Sequence, residues 1–345
     1  MFNPFWNREE NRPRALWRLA LQVGLLFVLE TVAGVLLVAI SSSSNALDLS
    51  DPLALWRNPL ISLLALVGIF LANVLSVWLA GKWFDHRSLR DFGFHFDRGW
   101  WLNLGFGLLL GAFLMLLIFL VELEAGWVQV TGNFLSAVPG LPFGWLALQG
   151  VAFYIAVGIQ EELVFRGYWL RNLAEGFHFK GSGIPHSLHI SPHLAILLGY
   201  LLSSIVFGVS HALNSNATVT STLNVMLGGL FLGMGYVLTG ELAVPIGVHI
   251  AWNYFEGYVF GFPVSGTSSA GSFIAIHQAG PAIWTGGAFG PEAGLIGIGA
   301  ILLGCLLIYL WIRWQSGQAA LHGRLAIYFP PAARPAAGQP EHGTS

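Results

Sequence analysis

Residues 100–121 read WWLNLGFGLLLGAFLMLLIFLV and contain no charged side chain. A helix needs about 20 mostly apolar residues to cross the hydrocarbon core of a bilayer, so this stretch predicts a membrane span. The same signal recurs along most of the chain and predicts eight spanning helices. The predicted spans are Leu16–Ile40, Pro59–Leu79, Trp100–Val121, Leu141–Leu173, Leu194–His211, Val219–Leu238, Leu242–Phe262 and Ala293–Trp311.

The composition indicates that most of the chain lies in lipid. Hydrophobic residues make up 55% of the 345 residues and charged residues only 9%, whereas about a quarter of the residues in soluble domains are charged. We therefore predict an all-α, polytopic integral membrane protein, with the lipid bilayer as its environment. Its expected location is the cell membrane, or an endomembrane if the protein is eukaryotic. A net charge of -2 without a basic block argues against nucleic acid as a partner.

The basic residues predict the orientation, because Lys and Arg stay on the cytoplasmic side of a membrane. With eight spans and both termini cytoplasmic, all of the 15 Lys and Arg residues except Arg57 fall on that side. This asymmetry supports the count of eight spans.

The spans divide the chain into five regions. We expect an N-terminal three-helix region (1–140), a core of four spans (141–262), an extracytoplasmic loop (263–292), a last span (293–316) and a tail (317–345). The loop is rich in Gly, Ser and Ala, which fits either a lid on the membrane surface or a flexible connector. The tail is rich in Ala, Pro and Gly and is predicted to be disordered.

Two neighbouring glutamates stand out within the fourth predicted span, where residues 160–166 read QEELVFR. Ionisable groups inside a membrane are costly and mark functional sites. On a helix, Glu162 and Arg166 share a face, whereas Glu161 points about 100° away. We expect Arg166 to neutralise Glu162 and Glu161 to face a cavity.

Further polar residues follow in two later spans. The fifth ends with FGVSH, whose last residue is His211, and the seventh contains HIAWN, which places His249 and Asn253 on one helix face. A carboxylate such as Glu161 can act as general base for a water molecule, and His211 can orient that water or carry its proton. His249 and Asn253 can stabilise an oxyanion.

These motifs, in this order on successive spans, resemble the CAAX-protease and bacteriocin-processing (CPBP) family of intramembrane glutamic endopeptidases. The resemblance covers about Leu141–Phe262. It implies that the first glutamate activates water, the second supports it with the arginine, the first histidine assists, and the last histidine and asparagine form the oxyanion site. The catalytic residues implied are Glu161, Glu162, Arg166, His211, His249 and Asn253. The implied substrate is a membrane-anchored or lipidated peptide or protein, and prenylated CAAX proteins are the eukaryotic example.

Other interpretations of the polar residues remain open. Glu162 and Arg166 can form a purely structural ion pair between packed spans. The chain can also be a non-proteolytic membrane scaffold or immunity protein with the same fold, or a proton-coupled transporter whose carboxylates and histidines relay protons.

No cofactor is expected, and zinc is kept as a minority alternative with Glu161, His211 and His249 as ligands. The sequence contains no HExxH motif. Four histidines crowd one predicted loop without the spacing of a zinc site, and we expect that loop to be solvated. They are His178, His186, His189 and His193. A glutamate mechanism requires Glu161 to lie within about 10 Å of at least one of the two membrane histidines.

Overall fold

The computed structural model describes residues 3–44, 58–178 and 190–330. Eight helices of 12 residues or more dominate these ranges. They are α1 Ala15–Ser44, α2 Pro59–Ala80, α3 Arg98–Glu124, α4 Phe143–Phe177, α5 Pro192–Ser210, α6 Val219–Thr239, α7 Ala243–Tyr254 and α8 Leu295–Ser316. Seven of them, all except α7, are long and apolar enough to cross a membrane, which confirms the predicted all-α polytopic membrane protein.

The seventh predicted span, Leu242–Phe262, is shorter in the structure than the sequence predicts. α7 has 12 residues and continues into a five-residue π-helical turn, Phe255–Val259. Nine of its 12 residues are buried within the protein, which is typical of a helix in a central position. The apolar pattern therefore identified the helix but not its length.

α7 packs directly against the backbone of α3. A Cβ atom added to Gly107 would lie 2.5 Å from the carbonyl oxygen of Val244, and one added to Gly247 would collide with the carbonyl oxygen of Leu104. Small residues allow membrane helices to approach this closely. The contact fixes α7, which carries His249, against a long membrane helix.

A buried ion-pair cluster joins the start of α1 to the ends of α2 and α4. Arg18 Nη1 lies 2.8 Å from Asp85 Oδ1, and Arg12 Nη2 lies 2.8 Å from Glu175 Oε2. The ring of Tyr328, beyond α8, lies 3.5 Å from the Arg12 guanidinium carbon. We call this side of the molecule the basic end. The segments next to both termini meet here, as the charge distribution predicts.

The opposite side carries a small antiparallel sheet, and we call it the sheet end. After the two-residue strands β1 (Trp6–Asn7) and β2 (Arg12–Pro13) near the N-terminus, the larger pair is β3 (Val128–Ser136) and β4 (Gly271–Gln278). β4 lies in the 263–292 loop, and the all-α prediction did not include a strand there. Its pairing with β3 joins segments far apart in sequence, so no local pattern predicts it.

The segment after α8 packs onto the protein, in contrast to the disorder predicted from Gly317. Residues 323–326 form a 3₁₀ turn in which Leu325 and Ala326 are buried, and the backbone N–H of His322 donates to the carbonyl of Val237 at 2.8 Å. The prediction of disorder rested on the Ala, Pro and Gly content of residues 317–345 as a whole and did not consider the apolar residues near the start of this segment. The part of the tail from residue 331 lies outside the described residues.

Candidate active site

The two glutamates of the QEELVFR motif lie where α4 changes its helical geometry. The regular α-helix ends at Glu162 and continues as a π-helical segment, Leu163–Leu170. Such wider turns are rare and frequently occur at functional sites. The motif therefore lies at a local irregularity of a long membrane helix.

Glu162 is the centre of a buried hydrogen-bond network. Its Oε1 accepts hydrogen bonds from Arg166 Nη1 at 2.9 Å and from His249 Nδ1 at 2.7 Å. The side chains of Glu162 and Arg166 are 0% and 1% exposed. Glu162 thus joins the arginine of its own helix to the histidine of α7, so the predicted ion pair also fixes the orientation of the imidazole.

Arg166 extends this network to two further helices. Its Nη2 donates to the carbonyl oxygen of Gly229 on α6 at 3.1 Å, and its guanidinium carbon lies 4.2 Å from the ring centre of Phe207 on α5. Gly229 also packs closely, since an added Cβ would lie 3.0 Å from Ser204 on α5. The arginine is therefore held by α4, α5 and α6 together, which positions the second glutamate.

Glu161 has a different environment from its neighbour. Its side chain is 25% exposed, and its Oε2 lies 3.8 Å from His249 Nε2. This distance is well inside the 10 Å that the glutamate mechanism requires. The two nitrogens of His249 thus face the two carboxylates, with Glu162 on the buried side and Glu161 on the open side.

His211 follows the last residue of α5 and has a defined tautomer. Its Nδ1 lies 2.8 Å from the carbonyl oxygen of Phe207, and since a carbonyl only accepts, Nδ1 carries the hydrogen. In the neutral ring Nε2 is then an acceptor. The Phe207 ring lies between the two histidines, with centroid distances of 4.7 Å to His211 and 6.2 Å to His249.

One cavity of about 500 Å³ brings four of the six predicted site residues together. Glu161, His249 and Asn253 line it from the helices on which the sequence placed them, and His211 lines it from the position just after α5. Glu162 and Arg166 are not part of the lining and lie behind it, in contact with His249. Most of the remaining lining is apolar, with aromatic side chains from α4, α6 and α7.

The sequence did not predict that the 263–292 loop forms one wall of this cavity. The lining includes Ser265, Thr267, Ser268, Ser269 and Glu292. Glu292 Oε1 accepts a hydrogen bond from the backbone N–H of Ser265 at 2.6 Å, and Asn214 donates to the carbonyl oxygen of Ser265 at 3.1 Å. These contacts join segments that are distant in sequence, and no motif in the loop predicts them.

The described residues contain no group of three His, Cys, Asp or Glu side chains that could hold a metal ion. The zinc alternative, with Glu161, His211 and His249 as ligands, therefore has no geometric support in these ranges. In the histidine-rich loop, His178 Nδ1 lies 2.9 Å from the carbonyl oxygen of Ile190. His186 and His189 lie outside the described residues.

Residues 142–255 match the family model for "Type II CAAX prenyl endopeptidase Rce1-like". The match begins at the start of α4 and ends just after α7, so it contains all six predicted site residues. It confirms the resemblance to CAAX proteases and associates this region with a membrane-embedded protease. No curated protein and no solved structure matches the chain significantly.

Proposed function

We propose that this protein is an intramembrane endopeptidase that cleaves a membrane-anchored or lipidated substrate with a glutamate-activated water. One observation carries the proposal most directly: Glu161 lines a cavity together with His211, His249 and Asn253. Its carboxylate is held on the open side of His249, 3.8 Å from Nε2. One space is thus surrounded by a general base, a hydrogen-bond acceptor for water and two hydrogen-bond donors for an oxyanion. Peptide hydrolysis requires these groups.

The first chemical step is the attack of water on the peptide carbonyl carbon. Glu161 takes one proton from the water, and Nε2 of His211 accepts a hydrogen bond that orients it, since Nδ1 is committed to the Phe207 carbonyl. The new carbon–oxygen bond converts the carbonyl oxygen into an oxyanion. Two side chains of different helices therefore direct the water, and neither needs a metal ion for this role.

The oxyanion is stabilised from α7. Asn253 donates from its amide nitrogen, and His249 donates from Nε2. Because Nδ1 of His249 already bonds to Glu162, Nε2 donates only when the ring is protonated. Glu162 then carries the charge that balances this imidazolium, with Arg166 as its second partner. In the final step the carbon–nitrogen bond breaks, and protonated Glu161 returns its proton to the leaving amine.

The shape of the surroundings favours a substrate that arrives from the lipid. Beside the cavity, a nearly apolar groove of about 470 Å³ lies between α2 and α4. Phe153 and Val157 line both spaces. An apolar anchor in the groove would place the adjoining peptide next to Glu161. We assign the catalytic core to residues 141–262, with the 263–292 loop as its lid.

A survey of new peptide termini in membranes tests the proposed function. Membranes that contain the wild type are compared by mass spectrometry with membranes that contain Glu161→Gln or His211→Ala, with and without a chelator. Glu124→Gln is a matched control, because Glu124 is an exposed glutamate at the end of α3. We expect new peptide termini in wild-type membranes that are absent from both site variants. These termini should still form in the Glu124→Gln control and when the chelator is added to the wild type.

The same survey separates the competing functions. Equal termini in the wild type and in Glu161→Gln would contradict proteolysis and favour a scaffold. A proton-coupled transporter predicts solute uptake that depends on Glu161 and on a gradient, without new termini. Termini that disappear with the chelator would instead require a metal-dependent mechanism.

A further inference from the structure

A second large apolar space lies behind the helices that carry the candidate active site. This space, which we call the back groove, has a volume of about 690 Å³. α4 and α7 contribute to both spaces through different faces: Glu161 and His249 line the active-site cavity, whereas Ile159 and Ile250 line the back groove. The helices α2 and α3 form its other walls. The full lining is Phe70, Val74, Leu89, Arg90, Phe94, Phe96, Trp100, Trp101, Leu104, Leu108, Val151, Ile155, Ile159, Leu163, Ile246, Ile250, Ala251, Tyr254 and Phe255.

Arg90 is the one charged side chain among the described residues of this lining. It belongs to the 3₁₀ turn Leu89–Phe92 at the basic end, and it is exposed. None of the described carboxylates forms an ion pair with it. The groove is thus an apolar slot with a single available positive charge at one end.

The dimensions of the groove match one leaflet of a bilayer. From Val151 to Leu163 the wall on α4 rises about 18 Å at 1.5 Å per residue, and half of the hydrocarbon core is about 15 Å thick. Trp100 lies near the Arg90 end, because its indole N–H donates to the carbonyl oxygen of Gly93, and Trp101 follows it; amphipathic rings of this kind prefer the headgroup level. The charge therefore lies where a headgroup would be, and the apolar walls lie where an acyl chain would be.

A residue near the Arg90 end of the groove has a strained backbone conformation. Phe96 has a φ angle of 58°, a left-handed conformation that is uncommon for a residue other than glycine. Its ring packs 4.9 Å from the ring of Trp100 although half of its side-chain surface is exposed. Strain of this kind persists where the surroundings enforce it, frequently at ligand sites.

We propose that the back groove binds one anionic phospholipid from the leaflet at the basic end, with its phosphate at Arg90 and an acyl chain along α4 and α7. The positive charge selects the anionic headgroup, because cationic side chains at the membrane surface attract anionic lipids. The apolar walls accept any ordinary chain. The inference does not rest on proteolysis, since it concerns a face of α4 and α7 that contains none of the proposed catalytic residues.

Native mass spectrometry of the full chain in detergent tests this site. Phosphatidylglycerol and phosphatidylcholine with identical acyl chains are titrated separately, and the occupancy of the first bound lipid is measured. We expect the wild type to retain one phosphatidylglycerol in preference to phosphatidylcholine. Arg90→Gln should weaken the binding of phosphatidylglycerol by about fivefold and leave the binding of phosphatidylcholine unchanged. Arg313→Gln, which removes an exposed arginine from the end of α8 at the basic end, should behave like the wild type.

A second pair of variants tests the position of the acyl chain. Ile155→Trp fills the groove and should reduce the retention of both lipids, whereas Leu109→Trp, on an exposed position of α3 outside the lining, should not. Equal phosphatidylglycerol binding by the wild type and Arg90→Gln would overturn the headgroup assignment. Unchanged binding by Ile155→Trp, or a dimer mass in place of bound lipid, would overturn the groove as the lipid site.

Discussion

His249 Nδ1 lies 2.7 Å from Oε1 of Glu162, a carboxylate with no exposed surface. The same carboxylate oxygen also binds Arg166, so the imidazole of α7 is oriented through an ion pair that belongs to α4. Glu161, the next residue, is left on the open side of the ring. In the mechanism that we propose, the two adjacent glutamates therefore have separate tasks: Glu162 positions His249, and Glu161 activates the water.

The first prediction compares the two glutamates by the same substitution. Glu161→Gln should lower the cleavage rate by about 10²–10⁴-fold, as expected for the loss of a general base, and should leave the thermal midpoint near that of the wild type. Glu162→Gln leaves Arg166 buried without its counter-charge, which costs about 3–5 kcal/mol of unfolding free energy. Thermal unfolding in detergent and cleavage of a substrate identified by its new termini measure both effects.

A charge-preserving variant separates the roles further. Glu162→Asp keeps the counter-charge of Arg166 but withdraws the oxygen from His249, so it should recover much of the thermal midpoint and little of the activity. Full activity in Glu162→Asp would show that the orientation of His249 by Glu162 does not matter. A thermal midpoint of Glu161→Gln as low as that of Glu162→Gln would contradict the separation of tasks.

The second prediction concerns the tautomer of His211. His211→Ala should reduce the cleavage rate by about 10²–10⁴-fold, because the acceptor that orients the water is lost. Ser210→Ala is the matched control: Ser210 Oγ lies 3.3 Å from Nδ1 of His211, but the Phe207 carbonyl at 2.8 Å still fixes the ring. Steady-state kinetics should show a rate near that of the wild type for Ser210→Ala. An equal loss in both variants would mean that the Phe207 carbonyl does not determine the tautomer.

Helical spacing explains why much of the geometry of the candidate site could be predicted from the sequence. Glu162 and Arg166 are four residues apart on one helix, and so are His249 and Asn253, so each pair shares a face whatever the rest of the fold does. The contact of His249 with Glu162 joins α7 to α4. The order of the motifs suggested that these two residues meet, but their distance depends on how α7 packs against its neighbours, for example at Gly158 of α4, where an added Cβ would lie 2.6 Å from Ile250.

Contacts between distant segments could not be predicted by local reasoning. The apolar signal of residues 242–262 is the same for a spanning helix and for a buried helix of 12 residues, because both are surrounded by apolar material. β4 lies in a region rich in Gly and Ser, and four helices separate it in sequence from its partner β3. The cavity wall from Ser265 to Ser269 depends on that long-range arrangement.

The third prediction concerns pH and a contact at the basic end. His95 Nδ1 lies 3.0 Å from Glu241 Oε1, and this hydrogen bond raises the pKa of His95 above its ordinary value of 6.5. When folding raises the pKa of a histidine, the protonated side chain stabilises the folded protein. This stabilisation is complete at pH values below the pKa of the unfolded state, and it is lost as the pH rises through the pKa of the folded state. The thermal midpoint of the wild type should therefore exceed that of His95→Gln at pH ~5.5, and the difference should shrink toward pH ~9. In a Glu241→Gln background the pH-dependent part of the His95 effect should be much smaller, because the largest cause of the raised pKa is removed. A constant difference between the wild type and His95→Gln across this range would contradict the assignment.

The last prediction tests the contact between α3 and α7 with two glycines on the same helix. Gly107→Ala places a methyl group 2.5 Å from the carbonyl oxygen of Val244, which is backbone and cannot rotate away, so the helices must separate. Overpacking of this kind costs about 1–3 kcal/mol. Gly105→Ala meets no atom within 4 Å and should be neutral or stabilising by up to about 1 kcal/mol, because alanine has the higher helix propensity.

Thermal unfolding in detergent measures the stability of both variants. The cleavage rate should fall with Gly107→Ala alone, since α7 holds His249 against Glu162. An active, stable Gly107→Ala would mean that the close approach of the two backbones is not what positions α7.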